Sequence, residues 1–134
     1  MNKKGLFCFL IIILLFVSID SSFAIVLDDY AYSGDFENST DIVVRPEGNF
    51  SICLRSNPST GYEWNYSVEF GDVDFLNRTF MEDNSYLPAT GIGGNEEFNF
   101  KLNHIGLSKL KFEYNRPWED SSLCTKEYYI FIIN

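Results

Sequence analysis

His104 is the chain's single histidine, and Cys53 and Cys124 are the only cysteines beyond residue 24. A serine or cysteine nucleophile that needs an imidazole base would have to use that one ring. The ring sits in Asn103-His104-Ile105-Gly106, between two strand-like runs, where a solvent-facing turn residue is the plainer reading. Cys53 and Cys124 lack metal-ligand spacing. The pairs Asp28-Asp29, Glu82-Asp83 and Glu96-Glu97 do not resemble a calcium loop and read as solvated charge. Gly91-Ile92-Gly93-Gly94 is followed by no helical pattern, so it is not a dinucleotide fingerprint. Catalysis is not expected, and no metal or cofactor is implied.

The remaining chemistry is that of recognition, and it sits in three loops. In Ser56-Asn57-Pro58-Ser59-Thr60-Gly61-Tyr62, Pro58 fixes one backbone angle and Gly61 permits a positive φ. Asn57 and Ser59 can bond locally, so the result is a stiff turn tipped by hydroxyls. It could equally be an ordinary tight turn between strands. Three glycines in Gly91-Ile92-Gly93-Gly94 cost conformational entropy, which suits a backbone that passes very close to something, or a flexible loop tip. Tyr114-Asn115-Arg116-Pro117-Trp118-Glu119 puts a tryptophan at a loop apex beside an arginine. Both residue types are enriched among binding hot spots, although a Trp folded back onto a core would read the same way.

The elements that must carry these loops are strands. Apolar residues alternate with polar ones at Phe50-Ile52-Leu54, Tyr62-Trp64-Tyr66-Val68, Phe98-Phe100-Leu102 and Leu110-Phe112-Tyr114. A period of two gives each run one buried and one wet face. Tyr128 to Ile133 is apolar on both faces and reads as a strand inside a sheet. Turn residues separate the runs at Pro46-Glu47-Gly48-Asn49, Gly71-Asp72 and Asn103–Gly106 as well as at the three loops. This spacing predicts an all-β sandwich or barrel. Residues 25–41 are less clear, with a first strand near Ile25–Leu27 and another at Ile42–Val44.

The chain begins as an export signal would: Lys3 and Lys4, twelve apolar residues from Leu6 to Val17, then Ser22-Phe23-Ala24 at a small-residue cleavage site. The apolar run is shorter than the roughly 20 residues of a membrane span. The expected division is a signal at residues 1–24 and one domain at 25–134, routed through the secretory pathway and free of the membrane after cleavage. Its destination would be the outside or a lysosome- or phagosome-like compartment. With ten Lys/Arg against nineteen Asp/Glu and a net charge of −9, the chain should repel nucleic acid. In an oxidising route Cys53 and Cys124 can form one disulfide if the fold brings Cys124 to the outward position expected for Cys53. Asn38, Asn49, Asn65 and Asn77 stand in Asn-x-Ser/Thr sequons and are candidate glycan sites.

Together, Asn57-Pro58-Ser59-Thr60-Gly61, Gly91-x-Gly93-Gly94 and Arg116-Pro117-Trp118 resemble the signature of the chagasin family of cysteine protease inhibitors, in order and at comparable spacing. The likeness runs from about Ile42 to Ile133. It implies an immunoglobulin-like antiparallel sandwich of about seven to eight strands with the three loops at one end. It also implies a monomer that acts on papain-like, for example cathepsin L-like, cysteine proteases by reversible, tight, competitive binding. By that resemblance Pro58, Ser59 and Thr60 would lie over the catalytic centre, with Asn57, Gly61 and Tyr62 shaping the turn. Gly91, Gly93 and Gly94 would line one side of the cleft, and Arg116, Pro117 and Trp118 the other. Ser59 departs from the family's usual threonine, a lost methyl worth about 0.8 kcal/mol at most. The rival readings are a non-inhibitory immunoglobulin-like adhesion or recognition module, and a carbohydrate-binding domain that stacks sugar on Trp118.

Overall fold

The computed structural model describes residues 23–26, 30–83 and 91–134. The expected export signal up to Ser22 and the Asp28-Asp29 pair lie outside them. The described residues form two packed sheets from nine strands, β1 (Phe23–Val26), β2 (Tyr30–Ser33), β3 (Ser39–Pro46), β4 (Gly48–Ser56), β5 (Glu63–Phe70), β6 (Val73–Glu82), β7 (Gly94–Leu102), β8 (Gly106–Asn115) and β9 (Cys124–Ile133). One sheet has the order β1-β3-β9-β8-β5 and the other β2-β4-β7-β6. β9 lies inside its sheet, between β3 and β8, as its two-sided apolar pattern requires.

The alternating runs supply the core between the sheets. Phe50, Ile52 and Leu54 of β4 and Phe98, Phe100 and Leu102 of β7 face Leu110, Phe112 and Tyr114 of β8 and Tyr128, Ile130 and Ile132 of β9. Trp64 is fully buried, and its indole N–H donates to the Arg55 carbonyl at 2.8 Å. Each fully buried large side chain contributes about 1.5–3 kcal/mol relative to exposure. Burying so many aromatics therefore gives the loops a rigid base.

Two strands depart from the expected pattern. β6 has no clean alternation, because a bulge between Phe75 and Asn77 shifts its register against β7. The adjacent apolar pair Phe75-Leu76 sits at that shift. β2 is four residues long, too short for a period to show. The pairs β1–β3, β2–β4 and β3–β9 are parallel, and the other pairs are antiparallel. The N-terminal strands thus run parallel to their neighbours within the otherwise antiparallel sandwich that the resemblance implies.

The two cysteines do not pair in this structure. Both are buried, and no disulfide joins them. Cys124 belongs to the core, whereas Cys53 alternates with the core residues Ile52 and Leu54 and so points to the outer face of its own sheet. The sequon residues Asn38, Asn49, Asn65 and Asn77 are all exposed. His104 is an exposed turn residue whose Nδ1 meets Asp72. Among the described residues no helix is long and apolar enough to cross a membrane, and no cluster of three or more His, Cys, Asp or Glu side chains is placed to hold a metal.

Strand direction places the loops. β4 runs out through Ser56 into the 57–62 segment, and β7 begins at Gly94 opposite Ser56. β8 ends at Asn115 opposite Glu63, where β5 begins. The three loops therefore emerge at one end, and the turns at Glu47, Gly71-Asp72 and Asn103–Ile105 at the other.

Lys126 is an unexpected core lodger. It occupies an inward position of β9, with a side chain only 1% exposed, and its ammonium pairs with Asp35 in the β2–β3 loop. The hydrogen bond from Lys126 holds the Asp35 carboxyl below the usual aspartate range. A depressed carboxylate stabilises the fold above its unfolded pKa, and that contribution is lost as pH falls through the folded value. Asp35→Asn should lower the unfolding free energy near neutral pH by about 1–2 kcal/mol, a modest cost because the Asp35 side chain is 64% exposed. In urea titrations the gap between mutant and wild type should narrow as pH falls below the ordinary aspartate range, where the Asp35 carboxyl takes up its proton.

Candidate functional site

The turn after β4 is built around Asn57. Pro58–Thr60 form one turn of 3-10 helix, with the Thr60 N–H donating to the Asn57 carbonyl at 3.2 Å and the Gly61 N–H to the Pro58 carbonyl at 3.1 Å. Thr60 Oγ1 donates to the same Asn57 carbonyl at 2.6 Å, and Ser59 Oγ donates to Asn57 Oδ1 at 2.6 Å. Below, the Asn57 N–H donates to the Tyr114 hydroxyl at 2.9 Å, and Tyr114 is only 2% exposed. The turn is thus bolted to the core through one phenol. Pro58, Ser59 and Thr60 are exposed at its tip.

Each of the other two loops is tied to this turn. Asn57 Nδ2 donates to the Gly91 carbonyl at 3.2 Å. On the other side Arg116 Nε donates to the Thr60 carbonyl at 3.0 Å. The same guanidinium lies over the Tyr62 ring at 4.3 Å from its centroid, 6.0 Å from that of Trp118, and within 3.1 Å of Glu119 Oε1. Trp118 does not fold back onto the core; it is 71% exposed. Its ring edge stands against Gly61, where a Cβ would come within 2.7 Å of the indole. Gly61 is therefore required twice, by its φ of 82° and by the ring beside it.

The glycine loop divides its labour differently from the expectation. Gly91 is exposed, with φ of 82°, and its carbonyl meets Asn57. Gly94 is buried as the first residue of β7, and a Cβ there would lie 2.1 Å from the Met81 carbonyl oxygen. It is glycine because the β6 backbone passes directly over it, so it has no surface to offer a partner. Gly93 faces its own protein as well, toward the Arg55 guanidinium and the Ser56 carbonyl. The base of this loop is clamped by Arg55, which donates to Asp83 at 2.8 Å, and by the Asp83 N–H donating to the Gly93 carbonyl at 3.0 Å. That clamp holds the Asp83 carboxyl below its usual range. Read from sequence, Asp83 is solvated charge and Arg55 has no role; the structure pairs them.

Beneath the turn, Arg78 pairs with the buried Glu96, donates to the Trp64 carbonyl at 3.3 Å and lies over the Phe98 ring. Burial pushes the Glu96 carboxyl up and Arg78 opposes it. This is a supporting floor. The edge above it presents hydroxyls, a proline and a tryptophan on a rigid frame: it can fill a cleft and form hydrogen bonds.

Known proteins resemble this chain. The profile of the Chagasin family peptidase inhibitor I42 matches residues 43–132. Chagasin of Trypanosoma cruzi is 30% identical over 86 residues, which is 60% of this chain and 76% of chagasin. Amoebiasin-2 of Entamoeba histolytica is 32% identical over 68 residues, 51% of this chain and 55% of its own length. The crystal structure of a cysteine protease inhibitor from Entamoeba histolytica superposes with a TM-score of 0.56 at 24% identity, covering 83% of this chain and 96% of that one. The solution structure of Amebosin does so at 0.55 and 22% identity, covering 78% and 98%. At those identities the two structures share the fold.

Two substitutions separate bracing from packing. Gly94→Ala should cost about 1–3 kcal/mol of global stability in denaturant unfolding, because a methyl is forced into the β6 backbone. Asn57→Ala should leave the core largely intact yet raise amide hydrogen exchange at Thr60 and Gly61 by about tenfold, as the bonds through its side chain are lost.

Proposed function

Because the chain belongs to the chagasin family of peptidase inhibitors, we propose that it inhibits papain-like cysteine proteases by seating its three-loop edge in their active-site cleft. The observation that carries this reading is the bracing of the turn on both sides, by Asn57 to Gly91 and by Arg116 to Thr60. A surface held in shape before docking loses little entropy on binding. Trp118, exposed at 71% and fixed against Gly61, is the anchor such a surface needs.

The turn also resists being a substrate. A protease attacks a peptide carbonyl presented in an accessible, extended segment. Here the Asn57, Pro58 and Thr60 carbonyls each accept an internal hydrogen bond within a 3-10 turn or from Arg116. Occupation without cleavage makes the inhibition reversible and competitive. Thr60 sits at the centre, Ser59 presents its hydroxyl beside it, and Trp118 flanks them. Of the three glycines on that flank, Gly91 is the exposed one and makes the contact. Export as a monomer, to the outside or to a lysosome- or phagosome-like compartment, would bring it to enzymes of this class.

Titrating the purified protein against papain and a cathepsin L-like protease with a fluorogenic peptide should abolish turnover at sub-micromolar inhibitor, with the turn uncleaved after long incubation. Trp118→Ala should raise the inhibition constant about tenfold or more, and Thr60→Ala about three- to tenfold. Full protease activity at micromolar inhibitor would leave the recognition-module reading in its place.

A further inference from the structure

A fourth loop emerges at the same end of the sandwich. Residues 34–38 join Ser33 of β2 to Ser39 of β3 and so cross from one sheet to the other. Ser33 pairs with Leu54, near the end of β4, and Ser39 with Lys126, near the start of β9. Both ends of the loop therefore open beside the braced edge. The loop lies before the residues that the family profile matches, which begin at 43.

Its side chains continue the edge. Phe36 stacks on Tyr114 with ring centroids 5.1 Å apart and planes 22° apart. Tyr62 stacks on Tyr114 at 5.2 Å and 23°. Tyr62 in turn carries the Arg116 guanidinium, which reaches toward Trp118. One stacked series runs from Phe36 at one end to Trp118 at the other. The loop is fixed at three points: Ser33 Oγ donates to Asp35 at 3.1 Å, Lys126 holds Asp35 from below, and Asn38 Oδ1 accepts the Thr125 N–H at 2.8 Å. A loop that only covered Tyr114 would bury its phenylalanine. Phe36 is 37% exposed, and Glu37 beside it is exposed too.

We propose that residues 34–38 form a fourth contact element on the protease, with Phe36 giving apolar contact and Glu37 charge at the opposite end of the stack from Trp118. The proposal rests on the inhibitor reading above. It makes this loop a determinant of which protease is preferred, because its contacts add to those of the three loops without altering them.

The test compares two charge reversals of equal size. Glu37→Lys changes this loop, and Glu47→Lys changes the exposed β3–β4 turn at the far end of the sandwich. Association and dissociation rates with papain and a cathepsin L-like protease are measured by stopped flow at low and high salt. Glu37→Lys should shift the association rate about threefold or more relative to Glu47→Lys, with the gap narrowing at high salt. Phe36→Ala should raise the dissociation rate about three- to tenfold, with a small drop in thermal midpoint from the lost stacking on Tyr114. Equal rates for Glu37→Lys and Glu47→Lys overturn the proposal, even if Phe36→Ala weakens binding, because Phe36 would then only support Tyr114. If Trp118→Ala still disables the protein in that case, the three-loop reading stands and the fourth contact falls. If the unaltered protein inhibits neither enzyme, both fall together.

Discussion

Asn57 has all four of its polar atoms engaged within the protein. Its N–H goes down to the Tyr114 hydroxyl and its carbonyl takes two donors from Thr60. Its side-chain oxygen takes Ser59, and its side-chain nitrogen crosses to Gly91. Its short side chain carries the donor and the acceptor on two separate atoms, so it can hold Gly91 and Ser59 at once. The geometry of the exposed turn, the distance to the glycine loop and the seat on the core all pass through this one residue. Net hydrogen bonds of about 1 kcal/mol each are modest singly. Concentrated at one residue, they fix a conformation.

On the other flank Arg116 does for the tryptophan loop what Asn57 does for the glycine loop. A planar guanidinium can stack with its face while it donates from its edge. Here it stacks between Tyr62 and the Trp118 side, and donates to Thr60 and Glu119. A lysine could supply the charge but not both geometries. The sandwich beneath is stiff because its inner faces are largely aromatic, with Phe98, Phe100, Phe112 and Tyr128 in edge-to-face contact. Rigidity in the core and cross-bracing at the edge serve the same end, since every loop ordered before encounter lowers the entropic cost of docking.

The alternating runs at Phe50–Leu54, Phe98–Leu102 and Leu110–Tyr114 announced their strands because each has one wet and one dry face. β6 did not, since its bulge breaks the period, and β2 is too short to have one. The three loops were legible as rigid or aromatic segments, and their resemblance to a family joined them. What joins them physically was not legible. The bonds from Asn57 to Tyr114 and from Arg116 to Thr60 link residues 57 and 56 positions apart. Gly94 illustrates the limit from the other side. A motif makes it a contact residue, whereas the β6 backbone overhead makes it a packing residue. Cys53 illustrates it again: parity along β4 placed it outward, and only the sheets' arrangement shows that Cys124 faces the core instead.

The central claim is that the braced edge occupies the catalytic cleft itself rather than a remote surface of the protease. Calorimetric titration of papain whose active-site cysteine carries a bulky covalent peptidyl inhibitor tests this most directly, against unmodified papain as reference. The account predicts tight binding to the open enzyme and a loss of affinity of about a hundredfold or more with the filled cleft, because the edge and the peptide compete for one space. Equal affinity for the two forms would contradict it.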